Sequence, residues 1–355
     1  MEERLSAAGG ELAAELRAGV ATVTLNRPAA LNALSLDMLR GLSGWLAAWA
    51  SDDAVRMIVL KGAGEKAFCA GGDIRALYDS FKAAGDGPWS SPLPGSGSVP
   101  GFLQFFEVEY ALDHRIHTYP KPIVALIDGI VMGGGMGISQ GATLRIAGDR
   151  TRMAMPETTI GLFPDVGGSY FLSRLPGRLG PYLGLVGPTL RAADALHCGL
   201  ADRYVGAAPP APGELEPLRP AIDRHFAHAS VEEIVASLEA ERAPEHGDWA
   251  RRTLEALAKR SPTMLKVTLE QLRRGATLGL ADCFRMELNL IHGCFEQGDF
   301  IEGIRALIVD KDNQPRWNPP TLAAVKTASV ERFFEPRWPP GKHPLNHLRN
   351  PPRIA

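Results

Sequence analysis

The stretch Gly62-Ala-Gly-Glu-Lys-Ala-Phe-Cys-Ala-Gly-Gly-Asp-Ile74 decides between two kinds of α/β fold. Its first six residues match the G-x-G-x-x-A pattern of a dinucleotide-binding turn, and they follow the strand-like segment Met57 to Leu60. In a dinucleotide-binding fold, that turn runs directly into a helix whose N-terminus meets the pyrophosphate. Here the turn-rich Phe68-Cys-Ala-Gly-Gly72 follows instead, so we predict a different α/β fold. No G-K-S or G-K-T sequence occurs, which excludes a P-loop.

The segments around this stretch alternate between strand-like and helix-like patterns. Gly19 to Asn26 and Ile123 to Ile127 are short β-branched or apolar runs typical of strands. Ser35 is a suitable N-cap for a helix whose apolar residues recur at helical spacing, namely Leu36, Leu39, Leu42, Trp45, Leu46 and Trp49. A loop rich in Gly, Pro and Ser is predicted at 84–101, followed by a helix at 102–118. The first two hundred residues therefore read as α/β.

The C-terminal part of the chain shows a run of consecutive helices. They are predicted at 230–242, 247–259, 262–274 and 279–295. Ser261 followed by Pro262 is a typical helix start, with a cap and an N1 proline. The last residues are Pro-rich and basic, which predicts poor order. We therefore expect a core, a helical region and a tail, at residues 1–205, 206–338 and 339–355.

Composition excludes several classes of function. The 355 residues include 38 basic and 40 acidic ones, and the net charge of −2 gives no overall attraction to nucleic acid or to an anionic membrane. No apolar run approaches the roughly 18 to 20 residues of a membrane span. The four scattered cysteines predict free thiols, not disulfides or zinc ligands. Met1-Glu-Glu-Arg4 shows neither a secretory nor a transit signal, so we expect a cytoplasmic location.

Two carboxylates stand in the otherwise apolar segment Met155-Pro-Glu-Thr-Thr-Ile-Gly-Leu-Phe-Pro-Asp-Val-Gly-Gly168. Glu157 and Asp165 are costly there unless they are paired or used, because an ionised group loses its hydration in apolar surroundings. Two glycine clusters, at 71–72 and 133–135, can bring backbone N–H groups close to a ligand. Together these features predict acid/base chemistry beside an oxyanion hole in a dry pocket.

Several motifs give the chain a family resemblance. They are Leu25-Asn-Arg-Pro28, Leu31-Asn-Ala-Leu34, Lys66-Ala-Phe-Cys-Ala-Gly-Gly-Asp-Ile74, Met132-Gly-Gly-Gly135 and Met155-Pro-Glu157. In this order and spacing they resemble the crotonase, or enoyl-CoA hydratase/isomerase, superfamily. Phe163-Pro-Asp-Val-Gly-Gly168 and the block Asp299 to Trp317 further resemble the 3-hydroxyisobutyryl-CoA hydrolases. The resemblance implies an α/β fold in which repeated ββα units form a spiral, with a C-terminal helical region that commonly mediates trimers.

The resemblance also implies a site. Gly72 and Gly134 match the two amides that hold the thioester carbonyl of an acyl-CoA, and Ala70 falls where the backbone meets the adenine of CoA. The remaining matches are Glu157 and Asp165 as catalytic carboxylates and Glu109 as a substrate contact. Glu157 would attack the carbonyl or act as general base for water, and both routes stay open. No metal is implied, and no cofactor beyond the CoA of the substrate.

The residue at 137 separates the candidate reactions. A typical hydratase carries a glutamate where Gly137 stands, so we favour a thioesterase acting on 3-hydroxyisobutyryl-CoA, or on a similar short 3-hydroxyacyl-CoA, in valine catabolism. A dienoyl-CoA isomerase and an enoyl-CoA hydratase are alternatives, because the carboxylate spacing also occurs in the isomerases. A non-catalytic acyl-CoA-binding or ribosome-associated scaffold is a third. The expected partner is an acyl-CoA, with no nucleic acid or membrane and with a trimer-based homo-oligomer as the candidate assembly.

Overall fold

Two compact units make up the computed structural model, which describes residues 2–85 and 101–351. The first unit consists of Met1–Asp73, Val108–Ala154 and Thr189–Glu216, and the second of Ile74–Glu107, Met155–Pro188 and Pro217–Ala355. Both units therefore draw on chain from either side of residue 205 and do not coincide with the predicted core and helical region. Most of the predicted loop at 84–101, namely residues 86–100, lies outside the described residues.

All ten described strands belong to the first unit. They are β1 (Glu2–Ala7), β2 (Leu12–Arg17), β3 (Val20–Leu25), β4 (Met57–Gly62), β5 (Ala67–Cys69), β6 (Ile123–Ile127), β7 (Ile130–Met132), β8 (Leu144–Ala147), β9 (Arg152–Ala154) and β10 (Arg203–Tyr204). The larger sheet has the order β1-β2-β3-β4-β6-β8-β10, and the smaller sheet has the order β5-β7-β9. Only the pairs β1–β2 and β2–β3 are antiparallel.

The strands form a repeated ββ pattern. β4 leads into β5, β6 into β7 and β8 into β9, and each pair places its first strand in the larger sheet and its second in the smaller one. In β3 the alternate residues Ala21, Val23 and Leu25 are buried, as expected for a strand with one face on the core. Because β5 follows Gly62 and its turn directly, no helix begins where a pyrophosphate would bind, and the prediction against a dinucleotide fold is confirmed.

Fourteen α-helices lie in the described ranges. They are α1 (Leu36–Trp49), α2 (Ile74–Ala84), α3 (Gly101–His117), α4 (Gly134–Gln140), α5 (Gly168–Phe171), α6 (Leu179–Val186), α7 (Ala192–His197), α8 (Leu215–His225), α9 (Val231–Glu239), α10 (Pro244–Leu257), α11 (Pro262–Gly275), α12 (Leu280–Gln297), α13 (Asp299–Ile304) and α14 (Thr327–Glu331). Both predicted caps are confirmed, because Ser35 Oγ accepts the Met38 N–H at 3.2 Å and Ser261 Oγ accepts the Met264 N–H at 3.1 Å. The four predicted C-terminal helices correspond to α9–α12.

The tail packs against α12 in its described part, which ends at residue 351. Leu345 and Leu348 are buried, and the Arg285 guanidinium donates to their carbonyl oxygens at 3.1 and 3.2 Å. Asn350 Oδ1 accepts the N–H of Ala281 at 2.8 Å at the start of α12. The two leucines supply the apolar burial that a count of prolines and basic residues overlooks.

The cysteines agree with the prediction of free thiols. Cys69, Cys198, Cys283 and Cys294 are all buried and form no disulfide. Within the described ranges, no three His, Cys, Asp or Glu side chains cluster in a way that could hold a metal ion. No helix of residues 2–85 and 101–351 is both long enough and apolar enough to cross a membrane.

Candidate active site

Asn32 organises the glycine turn of the first unit. Its buried side chain donates to the carbonyl oxygens of Ala63 and Ala67 at 3.0 and 2.8 Å and accepts the Arg27 N–H at 3.0 Å. The Arg27 guanidinium in turn contacts the Asp73 carboxylate at 3.0 Å. Residues of the Leu25–Pro28 and Leu31–Leu34 motifs thus hold the glycine turn at both ends, at Ala63 and at Asp73, which explains why the motifs accompany it.

Main-chain hydrogen bonds fix Gly72 in an isolated parallel bridge with Leu34. The Leu34 N–H donates to the Gly71 carbonyl at 2.8 Å, and the Asp73 N–H donates to the Leu34 carbonyl at 2.9 Å. This pattern leaves the Gly72 N–H without a hydrogen bond to any described residue. The bridge therefore presents a backbone donor in a fixed position.

Gly134 supplies a second donor beside the first. It is the first residue of α4, where N–H groups have no partner within the helix, and its N–H bonds to no residue in the described ranges. A Cβ atom at position 134 would lie 3.3 Å from the Gly72 nitrogen and 2.5 Å from Glu109 Oε1. Two uncommitted N–H groups thus lie close together, as an oxyanion hole requires.

Glu109 lies on α3 and is 2% exposed. The short approach of its Oε1 to the Gly134 Cβ position means that any side chain at 134 would collide with this carboxyl group. The carboxyl therefore lies against the predicted hole, where the resemblance places a substrate contact.

Ala70 and Cys69 flank the glycine turn. The Ala70 N–H is engaged by the Leu31 carbonyl at 3.0 Å, so a contact to adenine through this N–H would have to displace it. Burial raises the pKa of the Cys69 thiol to about 12, and the negative charges of Glu109 and Asp113 add to the effect. A thiol so reluctant to ionise is a packing group and not a nucleophile.

In the second unit, Glu157 begins a 3-10 helix that ends at Ile160. The side chain is 4% exposed, and its Oε2 has no hydrogen-bond partner among the described residues. Burial raises the pKa of Glu157 well above its ordinary value, and the nearby charge of Asp165 raises it further. A buried carboxyl with an uncommitted oxygen and a raised pKa is suited to proton transfer near neutral pH.

Asp165 stands at the start of a strained turn. Its carbonyl accepts the Gly168 N–H at 2.7 Å, Val166 has φ 52° and Gly167 has φ 88°. A positive φ is rare for a β-branched residue and costs about 1–3 kcal/mol, and such strain tends to occur at functional sites. Asp165 itself is 4% exposed.

Two residues that hold this turn were not predicted from the sequence. Glu287 on α12 accepts the N–H groups of Gly167 and Ser169, each at 2.8 Å. Gln271 on α11 donates to the Pro164 carbonyl at 2.6 Å and to Ser169 Oγ at 2.8 Å. The signal for Glu287 is its place on the buried stripe of α12, given by Leu280, Cys283, Phe284, Glu287, Leu290, Ile291 and Cys294.

The predicted residues therefore fall into two groups. In the first unit, Gly72, Gly134 and Glu109 lie together, with Ala70 two residues before Gly72. In the second unit, Glu157 and Asp165 interact electrostatically. The first group can stabilise negative charge on an oxygen, and the second can move a proton or supply a nucleophile. α4 carries no carboxylate, since position 137 is glycine.

Comparison with protein families gives one match over most of the chain. The family described as enoyl-CoA hydratase/isomerase matches residues 20–209 and 205–334. The mitochondrial 3-hydroxyisobutyryl-CoA hydrolase of Gallus gallus is 42% identical, covering 90% of this chain and 87% of its own length. That of Danio rerio is 41% identical, covering 93% and 90%. The small ribosomal subunit protein mS47 of Neurospora crassa is 38% identical, covering 94% and 70%.

A solved structure agrees with the predicted fold class. A carnitinyl-CoA dehydratase from Mycobacterium thermoresistibile superposes with a TM-score of 0.82 at 40% identity, covering 92% of this chain and 96% of its own. The prediction of a spiral of ββα units with a C-terminal helical region is confirmed.

The prediction of a cytoplasmic location is wrong on these comparisons. The hydrolases of Gallus gallus and Danio rerio are named as mitochondrial enzymes, which points to a mitochondrial and not a cytoplasmic location. The prediction rested on the first four residues and on the free thiols, whereas location is set by segments that import machinery recognises.

Proposed function

This chain belongs to the enoyl-CoA hydratase/isomerase family, and we propose that within this family it hydrolyses 3-hydroxyisobutyryl-CoA to 3-hydroxyisobutyrate and CoA. The observation that carries the proposal is the similarity, at 41–42% identity over at least 90% of the chain, to two 3-hydroxyisobutyryl-CoA hydrolases. Its activity is that of an acyl-CoA thioester hydrolase. Valine catabolism is the route in which we expect it to act.

Gly72 and Gly134 would bind the thioester carbonyl oxygen. Their N–H groups are uncommitted among the described residues and are fixed by main-chain bonds, so little reorganisation is needed when charge develops on the oxygen. Glu109, buried against Gly134, would orient the substrate, and Ala70 would lie at the adenine end of CoA. These roles are carried over from the family resemblance.

Glu157 and Asp165 would carry the chemistry. In one route the Glu157 carboxylate attacks the carbonyl carbon, the C–S bond breaks, CoA leaves as the thiol after protonation, and water then cleaves the mixed anhydride. In the other, Glu157 takes a proton from water as the water attacks, and the CoA sulfur accepts a proton as it leaves. Asp165 would orient the substrate hydroxyl or assist proton transfer, and its charge helps to raise the pKa of Glu157.

The two routes differ in the source of the product oxygen. In a single turnover in ¹⁸O water with enzyme in excess, direct attack by water places ¹⁸O in all of the hydroxy acid. In the anhydride route, water can attack the Glu157 carbonyl carbon. The hydroxy acid of the first turnover then carries an unlabelled oxygen from Glu157, and Glu157 takes up the ¹⁸O. Mass spectrometry of the acid and of the peptide containing Glu157 reads the outcome.

Two other reactions within the family are weaker candidates. Hydration of an enoyl-CoA lacks the second glutamate, because Gly137 stands in its place within α4. Isomerisation of a dienoyl-CoA could use the pair Glu157 and Asp165, but it would leave the resemblance of Asp299 to Trp317 to the hydrolases without a role.

A non-catalytic scaffold is a candidate of a different class. The relative mS47 is named as a ribosomal subunit protein, and this observation favours the alternative. Against it, this chain retains Glu109, Glu157, Asp165 and both uncommitted glycine N–H groups. Hydrolytic turnover by the purified protein would separate the two roles.

Assembly and cofactors complete the proposal. We expect a trimer-based homo-oligomer, which light scattering on the purified protein would test. We also expect no metal or cofactor beyond the CoA of the substrate, so that dialysis against a chelator leaves the rate unchanged.

The activity is tested by measuring release of free thiol from a panel of thioesters. The panel contains 3-hydroxyisobutyryl-CoA, 3-hydroxypropionyl-CoA, crotonyl-CoA and a dienoyl-CoA. We expect thiol release from the first two, with a modest preference because one methyl group is worth about 1 kcal/mol in an apolar pocket. Loss of dienoyl absorbance without thiol release would favour the isomerase, and inactivity on the whole panel would favour the scaffold.

A further inference from the structure

The turn that carries Asp165 is held against its own conformational preference. Val166 and Gly167 both have positive φ, at 52° and 88°. Glycine adopts such angles freely, but a β-branched residue does so only when its surroundings impose them. The local sequence therefore cannot by itself keep Asp165 in place.

Glu287 restrains this turn through two hydrogen bonds. Its two carboxylate oxygens are both used: Oε2 accepts the Gly167 N–H and Oε1 accepts the Ser169 N–H, each at 2.8 Å. The bonds fall on either side of Gly168, so the carboxylate spans the end of the turn and the start of α5. The side chain is 0% exposed and stands on the longest helix of the described chain, which makes it a rigid support.

Gln271 restrains the other end. Its Nε2 donates to the Pro164 carbonyl at 2.6 Å, immediately before Asp165, and to Ser169 Oγ at 2.8 Å. Side chains from α11 and α12 thus hold residues 164–169 from both sides of Asp165, within one unit. Electrostatics agree with this proximity, because the Asp165 charge contributes to the raised pKa of Glu287.

We propose that Glu287 is a positioning residue for Asp165: by binding the N–H groups of Gly167 and Ser169, it keeps Val166 in the left-handed conformation and so fixes the direction of the Asp165 carboxylate. The inference rests on the proposed catalytic role of Asp165. It assigns to Glu287 a role in kcat, and not only the capping of a one-turn helix.

The first test is the substitution Glu287→Gln, which keeps the size and shape of the side chain. One acceptor oxygen becomes an NH₂ group, which cannot accept the backbone N–H that it faces. With kcat normalised to folded protein, we expect a fall of about 10- to 100-fold while KM for 3-hydroxyisobutyryl-CoA changes by less than about threefold, since a misplacement of about 1 Å costs on this order. An unchanged kcat per folded molecule would overturn the inference.

The second test is rescue. Val166→Gly alone should change kcat little, because glycine tolerates a φ of 52° without support. Combined with Glu287→Gln, it should restore part of the lost kcat, because the turn then needs less restraint. If the double variant is no faster than Glu287→Gln, residue 166 is not held in place by Glu287 and the inference fails.

Asp194→Asn is the matched control. Asp194 is also a buried carboxylate at the start of a helix, since its Oδ1 accepts the Leu215 N–H of α8 at 2.8 Å. We expect it to lose stability as Glu287→Gln does while keeping its kcat. An equal loss of kcat in both variants would mean that any broken cap lowers kcat, and would overturn the specific role of Glu287.

Asp165→Asn distinguishes failure of the inference from failure of the proposed function. If Asp165→Asn keeps full hydrolytic activity, Asp165 is not catalytic and the proposed function loses this residue, whatever Glu287→Gln does. If Asp165→Asn is impaired and Glu287→Gln is not, only the positioning role is wrong.

Discussion

The two groups of candidate site residues are built in different ways. In the first unit, the donors of Gly72 and Gly134 belong to the backbone, and they are fixed by main-chain bonds and by Asn32. In the second unit, the working groups are buried carboxyl side chains: Glu157 begins a 3-10 helix, and Asp165 precedes Val166, a β-branched residue at positive φ. A backbone donor is placed by the fold itself. A buried acid also needs particular neighbours, which fix the orientation of its carboxyl group and shift its pKa.

This difference makes the two groups sensitive to different changes. The glycine pair should respond to added volume and be indifferent to pH, because N–H groups do not titrate. The acids should respond to changes of charge that leave the volume unchanged.

The largest effect is expected for Glu157→Gln. The change preserves shape but removes the group that attacks or accepts a proton, so kcat should fall by about 10²- to 10⁴-fold with KM nearly unchanged. Steady-state thiol release measures it. Glu255→Gln is the control, since Glu255 is exposed and paired with Arg251 at 2.8 Å, and it should retain the wild-type rate.

Next in size is Gly134→Ala. The new Cβ would lie 2.5 Å from Glu109 Oε1 and 3.3 Å from the Gly72 nitrogen, so the two donors cannot keep their spacing. Loss of one donor of an oxyanion hole typically costs about 10²- to 10³-fold in kcat. Gly44→Ala serves for comparison, because nothing lies within 4 Å of the added atom. Equal activity of the two variants would show that Gly134 is not part of the hole.

A smaller effect is expected on the pH profile of the acids. Glu157 must be ionised to act, so activity should be lost as pH falls through its raised pKa. Asp165→Asn removes a negative charge that helps to raise that pKa, and the ascending limb of kcat/KM should therefore move to lower pH. A limb that stays in place, or moves upward, would mean that Glu157 is not the titrating group. Gly134→Ala should leave the position of the limb unchanged.

Glu287 should make the free energy of unfolding depend on pH. Burial raises its pKa from 4.5 to about 8, and the negative charge of Asp165 adds to the effect. A group whose pKa is raised in the folded state favours folding at low pH, and this contribution is lost as pH rises from about 4.5 to about 8. The free energy of unfolding of Glu287→Gln, followed by urea denaturation, should depend less on pH across that window than that of the wild type.

The smallest effect is expected for Cys69→Ala. The thiol lies next to the predicted hole, but its pKa of about 12 keeps it protonated at neutral pH. We therefore expect wild-type kcat with a modest loss of stability from the small cavity. Abolished activity with retained folding would assign Cys69 a chemical role.

Local patterns were sufficient to predict much of the fold. Ile123–Ile127 was predicted with the bounds it has, and the helix starts at Ser35 and Ser261 follow from capping chemistry. The order of the motifs gave the family and with it the candidate residues. The strand and the helix starts are determined by nearby residues, and the family is identified by motifs at several places along the chain.

Contacts between residues far apart in the chain could not be predicted from the sequence. Glu287 holds a turn 120 residues away, and no local rule states which buried acid finds which N–H groups. Burial of Leu345 and Leu348 depends on where the tail packs, which composition does not reveal. The units also interleave along the chain, because strands that pair with each other are far apart in sequence.

Hydrolysis of a thioester is tested best by comparing two substrates on one preparation of purified enzyme. Thiol release from 3-hydroxyisobutyryl-CoA and hydration of crotonyl-CoA are followed side by side as kcat/KM. We expect rapid release of one thiol per molecule of hydroxy acid and little hydration of crotonyl-CoA. Efficient hydration of crotonyl-CoA without release of thiol from 3-hydroxyisobutyryl-CoA would contradict it.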